Sequence, residues 1–307
     1  MTIFSPRILA LAAAIALAAC GSTPPRTPAP SRPADTSGSA DTLLARAIDA
    51  YAATRDPAQA LAYVRSAAER APKRPEVVWL HAHFCGQVAG CEAADIETQL
   101  RKLDGGNGIV WMGPLMRALQ ERDTAAQEHV LEAIGRSKSV DVYWTTLVSR
   151  TALALHEANP AKAHGIDDPL TTALNTSVAQ FSQIAIAALR PLAAACSKER
   201  VQRVATANRC LRVARVLQQS DTYIAAGVGL GIEERIASPG SASAKDVNER
   251  VRVARYQQET AGRILDSQVD RQALSKQLIK LMQSLRREQE VYGAVLRWAG
   301  QPLAPPG

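Results

Sequence analysis

Aromatic side chains are scarce: three Phe, four Trp and six Tyr among 307 residues. No run of alternating β-branched residues is present, which argues against strands and a sheet-based fold. The signatures of common chemistry are missing too. His156-Glu157 has no second histidine four residues after the first, so the zinc-protease helix is excluded. Gly105-Gly106-Asn107-Gly108 lacks the Lys-Ser/Thr partner of a phosphate loop and reads as a helix-joining turn. Gly227, Gly229 and Gly231 follow no strand, so dinucleotide binding is unsupported. No serine sits in a nucleophile elbow. His81 and Cys85 share a helix face, but a zinc site needs two more ligands in register. Carboxylate pairs such as Glu233-Glu234 and Glu288/Glu290 stand in basic, helical, surface-like contexts. No catalytic residue, cofactor site or metal ligand is assigned.

What is present begins with an export signal. Residues 1–7 are short and polar with one positive charge, Arg7; residues 8–16 are an unbroken run of Ile, Leu and Ala. Charge holds the start at the inner face while the apolar stretch enters the translocon. That stretch is about half of the roughly 20 residues a membrane-spanning helix needs. Leu17-Ala18-Ala19-Cys20 then resembles the lipobox of bacterial lipoproteins. The resemblance implies that Cys20 receives a diacylglycerol on sulfur, becomes the new N-terminus by cleavage, and is acylated again. Several acyl chains make a stable anchor, since each buried CH₂ contributes about 0.8 kcal/mol. Gly21 and Ser22 stand where an Asp would resemble the inner-membrane retention signal, which favours the outer membrane, facing the periplasm.

Export changes the meaning of cysteine. Cys85, Cys91, Cys196 and Cys210 remain after Cys20, an even set that reads as two disulfides in an oxidising compartment. Local pairing is the simplest of the three connectivities. Cys85–Cys91 would close a small loop containing Gly86 and Gly90. On one straight helix Cys196 and Cys210 would lie about 21 Å apart, whereas a bridge needs Cα atoms within about 7 Å. The chain must therefore reverse near Ser197 or near Ala207-Asn208. The net charge of +7 includes Arg7 of the leader. Arginines on Ala-rich helices read as a solvated face, and nucleic acid is excluded as a partner in the envelope.

The chain divides into a signal peptide at 1–19 and a lipidated, disordered tether at 20–40, rich in Pro, Ser, Thr and Gly. Helical repeats follow at 41–160, a helical extension at 161–237 and a long amphipathic helix or hairpin at 238–300. A disordered tail at 301–307 ends the chain. The stretches around Trp79, Trp111 and Trp144 look alike, at spacings of 32 and 33 residues. Tyr51, Ala60, Ala67 and Pro72 match the Tyr, the small residues and the closing Pro of a tetratricopeptide repeat. The sequence thus resembles a degenerate tetratricopeptide-like solenoid over roughly 41–155, from which Gly113-Pro114 departs. Residues 161–169 read as a loop, 170–195 as an apolar helix with Pro191 at a kink or end, and 208–219 and 221–236 as further helices. Gly227 and Gly231 allow close helix contact. Leu274, Leu278, Leu281 and Leu285 form an apolar seam, and a break is expected near Gly262 or Asp266.

The expectation is an all-α protein, a tetratricopeptide-like solenoid followed by a helical C-terminal bundle or long hairpin. Its expected role is a non-enzymatic adaptor, held to the membrane through Cys20 and binding another envelope protein, as extended repeat surfaces do. Alternatives are an enzyme acting on the cell wall, or a binder of an envelope lipid or glycan through the basic residues from Lys198 to Arg215.

Overall fold

Helix starts follow local capping chemistry. Ser39, Asp56, Asp123, Asp168, Thr222, Ser241 and Asp270 each accept a first-turn amide with a side-chain oxygen. Pro57, Pro75 and Pro169 occupy first-turn positions, where the missing N–H costs nothing. A computed structural model describes residues 35–158 and 168–306; the leader, Cys20, residues 21–34 and residues 159–167, which hold most of the loop expected at 161–169, lie outside the described residues, and Pro169 already opens a helix.

Among the described residues there are thirteen α-helices and no strand. The first seven are α1 (Ala40–Thr54), α2 (Pro57–Arg70), α3 (Pro75–Cys85), α4 (Ala94–Asp104), α5 (Met112–Gln120), α6 (Thr124–Gly135) and α7 (Trp144–Ala158). Then come α8 (Pro169–Ala195), α9 (Val204–Leu217), α10 (Tyr223–Ile236), α11 (Ala242–Ser267), α12 (Arg271–Ser284) and α13 (Glu288–Trp298). Short 3₁₀ turns at Gly108–Trp111 and Arg200–Gln202 precede α5 and α9. The protein is all-α.

Neighbours in sequence are neighbours in space: α1 packs on α2, α2 on α3, α3 on α4, and α5 on α6. The three evenly spaced tryptophans fall on or directly before every second helix: Trp79 within α3, Trp111 at the 3₁₀ turn before α5, and Trp144 opening α7. The long helix α8 packs against α1, α5, α7, α10 and α12, and its Phe181 meets Trp79 of α3 edge-on at 6.1 Å. α8 therefore lies against the odd-numbered helices of the first seven and forms the centre of the core. By length and composition it could cross a membrane, but Phe181, Ile184, Ala185, Leu189 and Leu192 are buried against its neighbours. The helix runs through Pro191 for one further turn instead of stopping there.

The C-terminal region breaks just past the expected point, after Ser267, and again at 285–287. α11 packs on α13, while α12 turns back onto α7 and α8. Leu278 is buried, and Leu274, Leu281 and Leu285 pack against the core, so the leucine seam is used within the chain. Two boundaries shift. The folded body begins ahead of residue 40, because Arg46 donates to the carbonyls of Asp35 and Ser37 at 2.6 and 2.9 Å, and Arg70 to that of Thr36 at 2.8 Å. The tail expected to be disordered is tied back where Gln257 donates to the Leu303 carbonyl at 2.7 Å.

Both local disulfides form, Cys85–Cys91 and Cys196–Cys210, with Cα separations of 5.3 and 5.8 Å. The reversal that the second requires is made at Ser197 and the turn Arg200–Gln202. Gly113 sits where a Cβ would run into the Glu97 carboxylate, which is buried and held by Arg117 at 2.6 and 2.7 Å. That close approach accounts for the glycine that departs from the repeat pattern.

The glycines of α10 reverse the expectation. A Cβ on Gly227 or Gly231 meets nothing within 4 Å, whereas one on Gly229 would stand 2.7 Å from the Ala214 carbonyl and 3.0 Å from Leu217. Gly229 is the residue that lets α9 and α10 approach. Gly229→Ala is expected to cost about 1–3 kcal/mol through overpacking. Gly227→Ala and Gly231→Ala should each stabilise by roughly 0.5–1 kcal/mol through helix propensity. Urea denaturation of the three variants checks the sign at each position.

Candidate functional site

Three connections that are distant in sequence converge on one polar cleft: 136–143 before α7, 218–222 before α10, and 285–287 before α13. The cleft measures about 250 Å³ and is lined by Asp141, Tyr143, Thr145, Asp221, Gln283 and Arg286, among others.

Asp221 organises it. The residue is 1 % exposed. Its two carboxyl oxygens accept the amides of Val142 at 3.0 Å and Trp144 at 2.7 Å. α7 is thus capped from another part of the chain, because Tyr143, immediately before it, is in the left-handed region at φ 59° and cannot serve in the usual extended N-cap conformation. The neighbouring Ser220 hydroxyl accepts the Val140 amide at 3.0 Å. The Asp221 carbonyl accepts the Glu288 amide at 2.8 Å, and the Glu288 carboxyl accepts the Tyr223 amide at 2.8 Å. One pair of acids therefore fixes the starts of α7, α10 and α13 together.

Around that pair lies a second layer of polar contacts. Asp141 is held by Arg286 at 2.6 Å, and its backbone is clamped by the Asn107 side chain through two bonds of 2.9 Å. Tyr143 donates its hydroxyl to Asp104 at 2.7 Å. Arg287 spans to the carbonyls of Ser220 and Gln218, each at 3.2 Å. Burial, then the nearby Asp141 carboxylate, push the Asp221 carboxyl up to about 8, against the pull of its two amide bonds. Burial alone outweighs the Tyr223 amide and raises Glu288 to about 7. Burial raises Tyr223 and Tyr292 as well. Asp141 raises the Arg286 guanidinium.

Of the residues singled out from sequence, Glu288 belongs to this junction and the others lie elsewhere. Cys85 and Cys91 staple the end of α3, and Cys196 and Cys210 join α8 to α9; Cys20 falls outside the described residues. Burial lowers His83 to about 4 and it stacks on Trp79 at 5.7 Å, while Cys85 is spent on its disulfide. Glu288 and Glu233 are not surface carboxylates: both are buried, Glu233 against Arg250 at 2.6 Å. The basic stretch from Lys198 to Arg215 is partly engaged, with Lys198, Arg203 and Arg215 exposed. Arg209 and Arg212 pair with Glu128 and Glu132 of α6, and Arg200 with Gln127.

Sequence reading missed Asp141 and Asp221. Asp141 stands in the stretch that was noticed for Trp144, and Asp221-Thr222 directly precedes the glycine-rich helix, as a pair of capping residues would. No family model, curated protein or solved structure matches this chain.

Proposed function

We propose that this chain is a lipoprotein of the bacterial cell envelope, anchored through Cys20, that acts as a non-enzymatic adaptor for another envelope protein. The address rests on the leader and on Leu17-Ala18-Ala19-Cys20, and the two disulfides support an oxidising compartment. Gly21 and Ser22 favour the outer membrane, facing the periplasm. Tryptophans on alternate helices support tetratricopeptide-type repeats as the scaffold.

One observation carries the adaptor reading: the acids in and beside the polar cleft are committed to the fold. Asp221 spends both carboxyl oxygens on backbone amides, Glu288 holds the Tyr223 amide, and Asp141 takes Arg286. Groups so engaged position helices. Because α8 already covers the odd-numbered helices, the partner is expected to dock on the outer surface and not in a groove of the repeat.

Cys20→Ser is expected to move the protein from the membrane fraction to the soluble fraction, and to abolish co-purification of the envelope partner with the membrane-bound form. Retention in the membrane by the Cys20→Ser protein would remove the anchor. A second reading, an enzyme acting on cell-wall glycan, is favoured by one feature: Asp141 and the protonatable Asp221 line the same cleft. Turnover of purified cell wall that is lost in Asp141→Asn would replace the adaptor reading with this one.

A further inference from the structure

Acids outnumber cations where the three connections meet. Asp141, Asp221 and Glu288 are 3, 1 and 9 % exposed. Asp104, at the end of α4, faces the same junction through Tyr143 and Asn107. Of the two guanidinium groups present, Arg286 is bonded to Asp141 and Arg287 to the Ser220 and Gln218 carbonyls. The remaining groups from the packed elements are the phenols of Tyr223 and Tyr292, whose rings meet at a tilt with centroids 5.5 Å apart. Asp221 and Glu288 thus have amide partners but no guanidinium of their own. A charge buried beside other carboxylates is strongly disfavoured. The cleft gives water, and hence protons, a route to Asp141 and Asp221.

The two acids are also mechanically linked. Asp221 holds the Trp144 amide that opens α7 and the Val142 amide just before it, Glu288 holds the first amide of α10, and the Glu288 amide is bonded to the Asp221 carbonyl. We propose that this junction is a proton-operated latch. With protons on Asp221 and Glu288 it clamps α13 and the start of α10 to the start of α7. Ionisation of both loosens the clamp while the rest of the fold stays closed.

The direction follows from the raised carboxyls, about 8 against 3.8 for Asp221 and about 7 against 4.5 for Glu288. A group that binds its proton more tightly in the closed form favours closure at low pH, and the advantage is lost as pH rises through the folded-state value. The latch is tight in acid and loosens from about pH 5 to pH 8. In the exported setting proposed above, it would set how freely the 282–286 rim of the cleft moves as the surroundings change pH.

Hydrogen exchange of the full wild-type chain between pH 5 and pH 8 tests this, with intrinsic rates divided out. Local opening at the amides of Val142, Trp144 and Tyr223 is expected to increase by up to about a hundredfold per pH unit between roughly pH 5 and 7, because two protons leave on opening. Amides of α1 and α2 should show no such change, and Glu288→Gln should flatten the response at Tyr223. Carbon-13 titration of the Asp221 and Glu288 carboxyls should give midpoints near or above neutrality. Opening independent of pH overturns the proposal, as do midpoints near 4 or equal loosening throughout the chain. If Glu288→Gln fails to fold, the wild-type exchange and titration decide alone.

Discussion

Asp221→Ala is expected to destabilise the protein by about 3 kcal/mol, from the roughly 1–3 kcal/mol cost of each buried amide left without an acceptor. Those amides belong to Val142 and Trp144, both buried, the second opening α7. No substitute is at hand, since Tyr143 is left-handed and its hydroxyl is engaged with Asp104. Removal of a buried acid recovers part of the loss, which is why the figure lies below the sum of two full penalties. For a chain of this size each kcal/mol moves the melting temperature by about 2–3 °C, so a fall of roughly 6–9 °C is expected. The cost should depend on pH. The Asp221 carboxyl is raised from 3.8 to about 8 in the folded protein. The wild type is therefore favoured most below the unfolded value and loses that advantage as pH rises toward 8. The substitution should be more damaging at pH 5.5 than at pH 8. Thermal melts at the two values check both size and sign. A shift under 2 °C at pH 5.5, or a larger shift at pH 8 than at pH 5.5, would show that Asp221 does not hold α7 in this way.

The second large effect is expected from the Cys196–Cys210 bridge. It joins the end of α8, the helix most widely packed in the core, to α9 across a sequence separation of 14. Closing a loop of about 15 residues in the unfolded chain contributes about 3 kcal/mol. Both cysteines are fully buried, so alanine is the replacement that leaves no unsatisfied hydroxyl. Cys196→Ala with Cys210→Ala should lower the melting temperature by roughly 6–9 °C. Cys85→Ala with Cys91→Ala, closing the shorter loop, should cost about 2 kcal/mol. Reduction of the wild type should reproduce the sum of the two pairs. Equal melting with and without reductant would contradict the entropic account.

Those bridges and the helices were legible in the sequence because they depend on local information. Capping residues such as Ser39 and Asp270, the prolines at 57, 75 and 169, and the Cys spacings each constrain a few neighbouring positions. The break after Ser267 was close to where a helix of that length had to end. The cleft was not legible, because its acids meet partners from connections 65 to 79 residues away in sequence. Burial of Glu288 depends on the Tyr223 amide arriving from α10, and nothing around Glu288 in the sequence announces that. The α10 glycines show the same limit. Spacing marked Gly227 and Gly231 as a pair, but which face meets α9 is set by packing, and Gly229 is on it. Arg209 and Arg212 read as part of a solvated or lipid-facing strip because their partners, Glu128 and Glu132, lie on another helix.

The placement of α8 has the largest consequence for function. An open repeat would offer its odd-numbered helices to a partner peptide, yet here α8 packs along α1, α5 and α7 and meets Trp79. The proposed interaction is therefore expected on outer surfaces. The exposed side chains there include Val269, at the turn between α11 and α12, and Trp298 at the end of α13.

The adaptor account is tested most directly by in-cell crosslinking of the tagged, full-length protein followed by mass spectrometry of what is captured. The account predicts enrichment of one envelope protein, with crosslinks to outward-facing residues and a loss of capture in Cys20→Ser. Recovery of cell-wall glycan or lipid without any protein partner would contradict it.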